Sequence, residues 1–570
     1  MVNRLGVAAR VGQSLSILGL ERIGPLAVVG GGLLALSVFL GGGTRNGFAT
    51  DLLLQLGCIP ALIGALFLYD PDSKPPSGRV ALFCLLMVAV PLLQLVPLPP
   101  WLWTHLPGHG LAAATYATLG ESVPWRPLSL TPRDTWLALT SLIVPITMVL
   151  LVSRMNYIDR RFLVAVAVAL ATVSSVLGLV QIAGGPQSAF RFYAITNPTD
   201  AVGFFANRNH FATFMAASLL FLAPFAIPPT DRKTGAVVLS EKMSAIYAAL
   251  GIACILFIGA LSGSKSRAGL VLGVAAFIGA AWIVLRHQPT GRDSAVVKYS
   301  VLAAGGVMMV IAPLALSRTA ERFAVDPLRD GRVMFTLKTL RLALGNLPFG
   351  SGMGSFQSVY SMNETPQQMI LNTYLNRAHN DLAEILLEAG VLAAALLIVF
   401  LLWYARRAIL IWTRPMSGAT PLDAAIAKSA TLVILITALH SLLDYPLRTG
   451  AMMAMVAMSV GLMLPTVPAQ HRQAVRVVPE RTRRKRSPAA RETAVATLDP
   501  ANATSADATA EAALRAASPR PARRKEPAQP YAYSPEAAKT FDWPDAWCEE
   551  PKSRTAKPDG ASEPPVADPK

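Results

Sequence analysis

Arg377-Ala378-His379-Asn380-Asp381-Leu382-Ala383-Glu384-Ile385-Leu386-Leu387-Glu388-Ala389-Gly390 runs straight into Val391-Leu392-Ala393-Ala394-Ala395-Leu396-Leu397-Ile398-Val399-Phe400. A segment with a polar head and a long apolar body reads as a helix that begins at a watery surface and enters hydrocarbon, which takes about 20 apolar residues to cross. Similar apolar runs recur along the chain. They place spans at 24–40, 51–69, 79–97, 135–152, 161–183, 210–228, 244–262, 269–286, 298–316, 382–404, 426–440 and 449–465. Composition agrees, with 53% hydrophobic and 15% charged residues in 570, where a soluble chain is nearer a quarter charged. The expected fold class is an all-α polytopic membrane protein of about 12 transmembrane helices, its membrane domain covering 24–465.

The net charge of +17 raises the question of nucleic acid. The basic residues are spread over short loops between apolar spans, which suits membrane orientation and contact with an anionic bilayer instead. One set of connections holds Lys74 and Arg79; Arg154, Arg160 and Arg161; Arg232, Lys233 and Lys242; Arg286, Arg292 and Lys298; and Arg406, Arg407 and Arg414. Lys and Arg concentrate in loops on the cytoplasmic side. That rule puts this set, the N-terminal segment 1–23 and the C-terminal tail in the cytoplasm, with an uncleaved first helix. Cys58, Cys84, Cys254 and Cys548 show no ligand or disulfide spacing, and read as small apolar residues.

Residues 466–570 are different material. The basic run Arg481-Thr482-Arg483-Arg484-Lys485-Arg486 is followed by Ala/Pro-rich sequence and by an aromatic patch around Tyr531, Tyr533, Phe541, Trp543 and Trp547. Such a composition is expected to be disordered. The basic run reads as a topology anchor touching anionic lipid, and the aromatic patch as a docking motif for a cytoplasmic partner. On the other side lie three longer segments. Residues 98–134 carry Trp101, Trp103 and Trp125, with Trp136 just beyond, all suited to the membrane interface; 184–209 is the second; 317–381 is the largest, with Arg318, Arg322, Arg329, Arg332, Lys338, Arg341 and Arg377.

Every polar constellation falls on this same side. Asp381 and Glu384 have the spacing of an N-terminal capping pair. His379 then sits just before a helix start, where the positive dipole end disfavours imidazolium, so a neutral ring either acts as a base or orients a hydroxyl, or the residue belongs to the cap alone. Glu384 and Glu388, four apart, share a face. Ser262-Gly263-Ser264-Lys265-Ser266-Arg267-Ala268-Gly269 is a tight turn whose Arg267 either snorkels to the interface or holds a phosphate in its planar fork. Asn207, Asn209 and His210 crowd the mouth of a span and suggest a hydrogen-bonded junction. His440 and Asp444, four apart, are brought together by a helical turn, and Arg448 follows. Gly350-Ser351-Gly352-Met353-Gly354 reads either as a tight turn or as a phosphate cradle with no strand before it. No metal-ligand set is visible. Arginines, a candidate base and no soluble nucleotide motif suit a phosphate-bearing substrate presented from the membrane.

In order along about 200–450, GFFANRNHFATF (203–214), SGSKSRAGL (262–270), ERF and DGR (321–323, 330–332), LPFGSGMGSF (347–356), AHNDLAEILLEAG (378–390) and HSLLDYPLR (440–448) resemble the O-antigen ligase and Wzy-type O-antigen and exopolysaccharide polymerase superfamily. PLSLTPRDT (127–135) resembles a segment common in these proteins. The resemblance implies a GT-C-like, metal-independent, inverting glycosyltransferase without a cofactor, which takes a glycan from undecaprenyl diphosphate on the periplasmic face of the inner membrane. It implies that His379 activates the acceptor hydroxyl and that Arg267 and Arg332 hold the diphosphate. Asn207, Asn209, His210, Asp381, Glu384, His440, Asp444 and Arg448 fall in motif segments as supporting residues. Lys265-Ser266-Arg267 departs from the plainer Thr/Ser-rich run of many relatives and adds Lys265 as a second phosphate contact. Polymerisation of exopolysaccharide or O-antigen repeats, beside other polysaccharide assembly proteins, is the leading expectation. Ligation of the glycan to lipid A-core is the alternative, and a polysaccharide transporter or flippase the rival from another class.

Overall fold

A computed structural model describes residues 23–44, 49–69, 77–228, 241–287, 331–365 and 375–466, with isolated positions at 73, 75, 302, 305 and 306. The expected ninth span at 298–316, apart from positions 302, 305 and 306, together with Arg318, Arg322 and Arg329, residues 1–22 and the tail beyond 466, lies outside the described residues.

Sixteen helices are named here in chain order: α1 Pro25–Leu40, α2 Ala49–Phe67, α3 Gly78–Gln94, α4 Pro100–Trp103, α5 Gly110–Leu119, α6 Pro132–Ser141, α7 Ile143–Arg154, α8 Tyr157–Ala183, α9 Arg208–Leu222, α10 Glu241–Gly263, α11 Arg267–Arg286, α12 Gly331–Gly345, α13 Phe356–Met362, α14 Asp381–Thr413, α15 Pro421–His440 and α16 Gly450–Met463. Among the described residues, eight helical segments are long and apolar enough to cross a membrane, counting α6–α7 as one; α1, α3 and α16 are shorter apolar helices. The chain is thus a multi-pass helical membrane protein, and eleven of the twelve expected spans coincide with these helices.

Helix starts follow local chemistry. Asn156 accepts from Ile158 N and Asp159 N to cap α8, and Thr420 with Asp423 forms a reciprocal capping box on α15, each satisfying orphan amides of the first turn. The centre is α9, almost wholly buried and packed by α8, α10, α11 and α15. Small residues let these backbones approach, the expected mode of helix packing in a bilayer. A Cβ added at Gly269 of α11, for example, would sit 2.4 Å from that of Ala212.

The 98–134 segment is more ordered than a plain loop. A two-residue antiparallel ladder, Pro97–Leu98 with Arg126–Pro127, closes it around α4 and α5. Trp101, Trp125 and Trp136 are exposed, but Trp103 corrects the interfacial expectation. It is 0% exposed, its indole N–H donates to Pro124 O at 2.9 Å, and Arg126 lies over the ring; a buried indole needs such a partner.

α14, the helix quoted first, is not continuous. Gly390 has φ 58° and ψ −149° inside it, a left-handed conformation that glycine adopts without a Cβ penalty. The break admits the turn at 347–352: Val391 N donates to Pro348 O at 2.9 Å, and a Cβ on Gly390 would lie 2.2 Å from that same oxygen. A small second core of Ala343, Phe356, Val359, Tyr360, Ala378 and Leu387 then holds α12, α13 and the residues before α14 together. Ala378 in that core is the neighbour of His379.

Candidate active site

The glycine turn is a joint, and its backbone amides are used. Ser351 N donates to Leu387 O at 2.8 Å and Gly352 N to Glu388 O at 2.9 Å; Met353 N donates to Gln94 Oε1 at 2.9 Å. A Cβ on Gly352 would meet Ser129 Oγ at 2.2 Å, and one on Gly354 would meet Asp134 O at 2.8 Å. The 127–135 motif is the other half of the joint, since Leu130 N donates to Ser351 O at 2.9 Å and Thr135 Oγ1 to Met353 O at 2.9 Å. The tight-turn reading holds, and the turn's geometry does not make a phosphate cradle.

Beneath this joint, the segment between α15 and α16 carries the densest polar cluster. α15 ends at His440, and Asp444 N donates back to His440 O at 2.9 Å, one more coil that brings Asp444 under the loops. The Asp444 carboxylate is 0% exposed. His379 Nδ1 lies 3.3 Å from its Oδ1, His210 Nε2 lies 3.8 Å from the same oxygen, and Arg332 Nη2 lies 3.9 Å from Oδ2. Asn209 Nδ2 donates to Oδ2, and Tyr445 N to Oδ1 at 2.9 Å. The Tyr445 ring sits edge-on to two imidazoles, 4.9 Å from His210 and 5.0 Å from His379. Burial pushes the Asp444 carboxyl up, but the facing imidazoles of His210 and His379 outweigh it and hold Asp444 well below the usual carboxylate range. Burial, then the Asp444 charge, pushes the Tyr445 phenol up, so it stays a neutral spacer.

His379 is built for a fixed orientation. Its φ of 54° is unusual for a non-glycine residue, and such backbones cluster at functional sites. It precedes Asn380, whose side chain caps α14 by accepting from Ala383 N at 3.0 Å. A carboxylate against Nδ1 favours the tautomer that carries its proton there, leaving the Nε2 lone pair to act as a base. The side chain keeps 24% exposure, and among the described residues Nε2 makes no hydrogen bond. Arg332, 31% exposed, also donates to Leu443 O at 3.1 Å, which holds a cation beside the carboxylate that faces the ring.

A second cluster, one helical turn along, is internally paired. Arg448 reaches Glu388 Oε2 at 2.9 Å, Glu384 Oε1 at 3.3 Å and Asp381 Oδ1 at 3.4 Å, while Arg377 reaches Glu384 Oε1 at 2.9 Å. Burial disfavours the Arg448 charge, but the three carboxylates outweigh it and raise its pKa above the usual arginine value. Removing one member would strand buried charge.

The structure corrects several sequence expectations. Asp381 is not half of a capping pair: Asn380 is the cap, because Asp381 instead accepts from Ser441 Oγ at 2.8 Å and faces Arg448. Glu384 accepts from Ala378 N at 2.8 Å, so it fixes the residue before His379. His440 does not turn its ring to Asp444: its Nδ1 is hydrogen-bonded with Thr213 Oγ1, within α9. The junction at α9 is present, with Asn207 Oδ1 accepting from Asn209 N at 2.8 Å and its Nδ2 reaching the Tyr445 hydroxyl at 3.5 Å. Lys265 Nζ lies 3.0 Å from Asp200 Oδ1, and Arg208 Nη1 lies 2.6 Å from Asp200 Oδ2. Asp200 thereby ties the 262–269 turn to the neighbour of Asn209. Arg267 is the first residue of α11, capped by Ser266 through Gly269 N at 3.1 Å. Sequence reasoning missed Asp200, Arg377 and Tyr445 as members; Arg377, two residues before His379, and Tyr445, beside Asp444 in the motif, carried a signal, and Asp200 did not. Among the described residues no group of three or more His, Cys, Asp or Glu is placed to hold a metal ion.

Comparison with known proteins adds one family. Residues 252–398 match a family model described as O-antigen ligase. The match supports the resemblance to the O-antigen ligase and Wzy-type polymerase superfamily and an enzyme of the ligase or polymerase kind. It takes in Arg267, Arg332, His379 and the head of α14, and stops short of Asp444. No curated protein matches the chain.

Proposed function

We propose that the chain is an inner-membrane glycosyltransferase that moves a glycan from undecaprenyl diphosphate to an acceptor hydroxyl at the periplasmic face, polymerising exopolysaccharide or O-antigen repeats. The observation that carries this reading is the convergence of His379, Asp444 and Arg332, from three separate parts of the chain, at one end of the helix bundle. His379 Nε2 takes the proton of the acceptor hydroxyl. The oxygen attacks the anomeric carbon, the carbon–oxygen bond to the diphosphate breaks, and the electron pair leaves with the diphosphate. Arg332 and Arg267 supply the positive charge that meets it. Asp444 holds the imidazole and stabilises the imidazolium. In this reading both termini are cytoplasmic.

The test is glycan analysis of cells carrying His379→Ala at normal protein level, by gel and by extraction of lipid-linked saccharide. A general base contributes about 100- to 10,000-fold, so surface glycan should all but vanish. Accumulated single repeats identify a polymerase, and full-length chains retained on the lipid carrier identify a ligase. Unchanged lengths and amounts would remove His379 from the chemistry and favour transport.

A further inference from the structure

At the end of the bundle away from Asp444, basic side chains stand together with indoles and no carboxylate pairs with them among the described residues. Lys428 lies two turns into α15, half-buried, where an ammonium is costly without a partner. Its Nζ is 3.2 Å from His287 Nε2, just past the end of α11. The His287 Nδ1 is 2.7 Å from Ile283 O, so that nitrogen carries the proton and Nε2 accepts from Lys428. The imidazole is therefore neutral and supplies no countercharge; burial and the Lys428 charge also hold its pKa down. Arg286, its neighbour, lies over the Trp282 ring at 4.9 Å, and Lys428 over the Trp412 ring at 5.5 Å. No ion pair with a carboxylate forms at Arg286, His287 or Lys428 among the described residues. Two cations and two indoles thus meet at one helix end.

The second observation is the surface leading to that group. Val271, Ile278, Trp282 and Leu285 are exposed, and their spacing puts them on one face of α11. In a membrane-spanning helix, such a face meets acyl chains, and Arg286 closes it at the end where indoles sit at headgroup depth. We propose that Arg286, His287 and Lys428 bind the phosphate of an anionic diacyl phospholipid, whose acyl chains lie along the Val271–Leu285 face of α11. Arg286 and Lys428 donate to the phosphate oxygens. His287 positions the lysine, and the indoles line the headgroup level.

The test is lipid retention by the intact, detergent-purified protein, measured by native mass spectrometry with phosphatidylglycerol and phosphatidylcholine at equal concentration. The wild type is expected to keep phosphatidylglycerol in preference. Arg286→Gln and Lys428→Gln should each lower its retention about tenfold, the worth of one charged hydrogen bond, and leave phosphatidylcholine unchanged. Arg126→Gln, which removes an arginine lying over a tryptophan at the other end, should change neither. Equal retention of both lipids, or undiminished phosphatidylglycerol in both cluster variants, would overturn the proposal. So would displacement by millimolar inorganic phosphate, which would mean a site for the free anion. A variant that loses its fold is recognised by a lowered melting temperature, and Lys428→Arg, which keeps the charge, then decides: restored retention supports the site and lost retention overturns it.

Discussion

Arginine serves two different purposes at the two ends of the helix bundle. At the end holding the C-termini of α2, α7 and α16, it answers backbone carbonyls. Arg154 donates to Ala65 O at 2.6 Å and Leu68 O at 2.8 Å, closing α2; Arg160 donates to Leu464 O at 2.8 Å and Arg407 to Met463 O, closing α16. These are partners for the last carbonyls, which a helix leaves unpaired. Arg161 with Asp423 is an ion pair at this end. At the other end Arg208, Arg377 and Arg448 pair with carboxylates, and Arg332 faces one. The first arrangement ties helices off through their last carbonyls, and the lipid site is proposed at this same end. The second builds a cluster in which charge is balanced, orientation is fixed, and one imidazole edge stays accessible.

The contrast is broken most severely at Asp444. Asp444→Asn keeps the shape but removes the charge behind His379, and transfer should fall by on the order of 100-fold or more, measured on purified protein with lipid-linked saccharide. Its pH dependence sharpens the assignment. A carboxyl held below its usual value contributes stability that is complete above the usual carboxylate range and is lost only as pH falls through the lower, folded value. The stability that separates wild type from Asp444→Asn should therefore persist from neutral pH down to about pH 5. Its disappearance within that interval would show that Asp444 is not held ionised by its neighbours.

Next comes Arg448→Met, which takes the arginine from Asp381 and Glu388 and leaves Glu384 to Arg377. The expected cost is about 3–5 kcal/mol, read as a lowered melting temperature in detergent; an unchanged melting temperature would mean that the carboxylates find other partners. The smallest effect belongs to the other end. Arg160→Met leaves the Leu462 and Leu464 carbonyls without their donor, at about 1–3 kcal/mol. Transfer per folded molecule should not change. If it drops as far as in Asp444→Asn, the division of labour between the two ends is wrong.

Much of the helical frame was legible because apolar runs long enough to span a bilayer have few alternatives. His379, Arg332 and Asp444 were also legible as candidates, from motif order and polar residues gathered at span ends. Their partnerships were not. Asp381 looked like a cap by spacing, yet the cap is Asn380 and Asp381 turns to Arg448, sixty-seven positions on in the chain. Spacing rules describe neighbours on one helix, while this site is made between helices. The break at Gly390 was hidden for a similar reason: one glycine in an apolar helix has many readings until the turn at 347–352 is seen filling the space it opens.

What the sequence by itself determined was the class of protein, a multi-pass helical membrane chain, because hydrocarbon admits few ways to satisfy a backbone. It also determined the pool of polar residues from which a site could be made. Which of those residues share a carboxylate was decided only by tertiary structure. A carboxylate buried with two imidazoles and a guanidinium owes its charge to distances of a few ångströms across helices far apart in the chain, and electrostatic strength follows distance and burial.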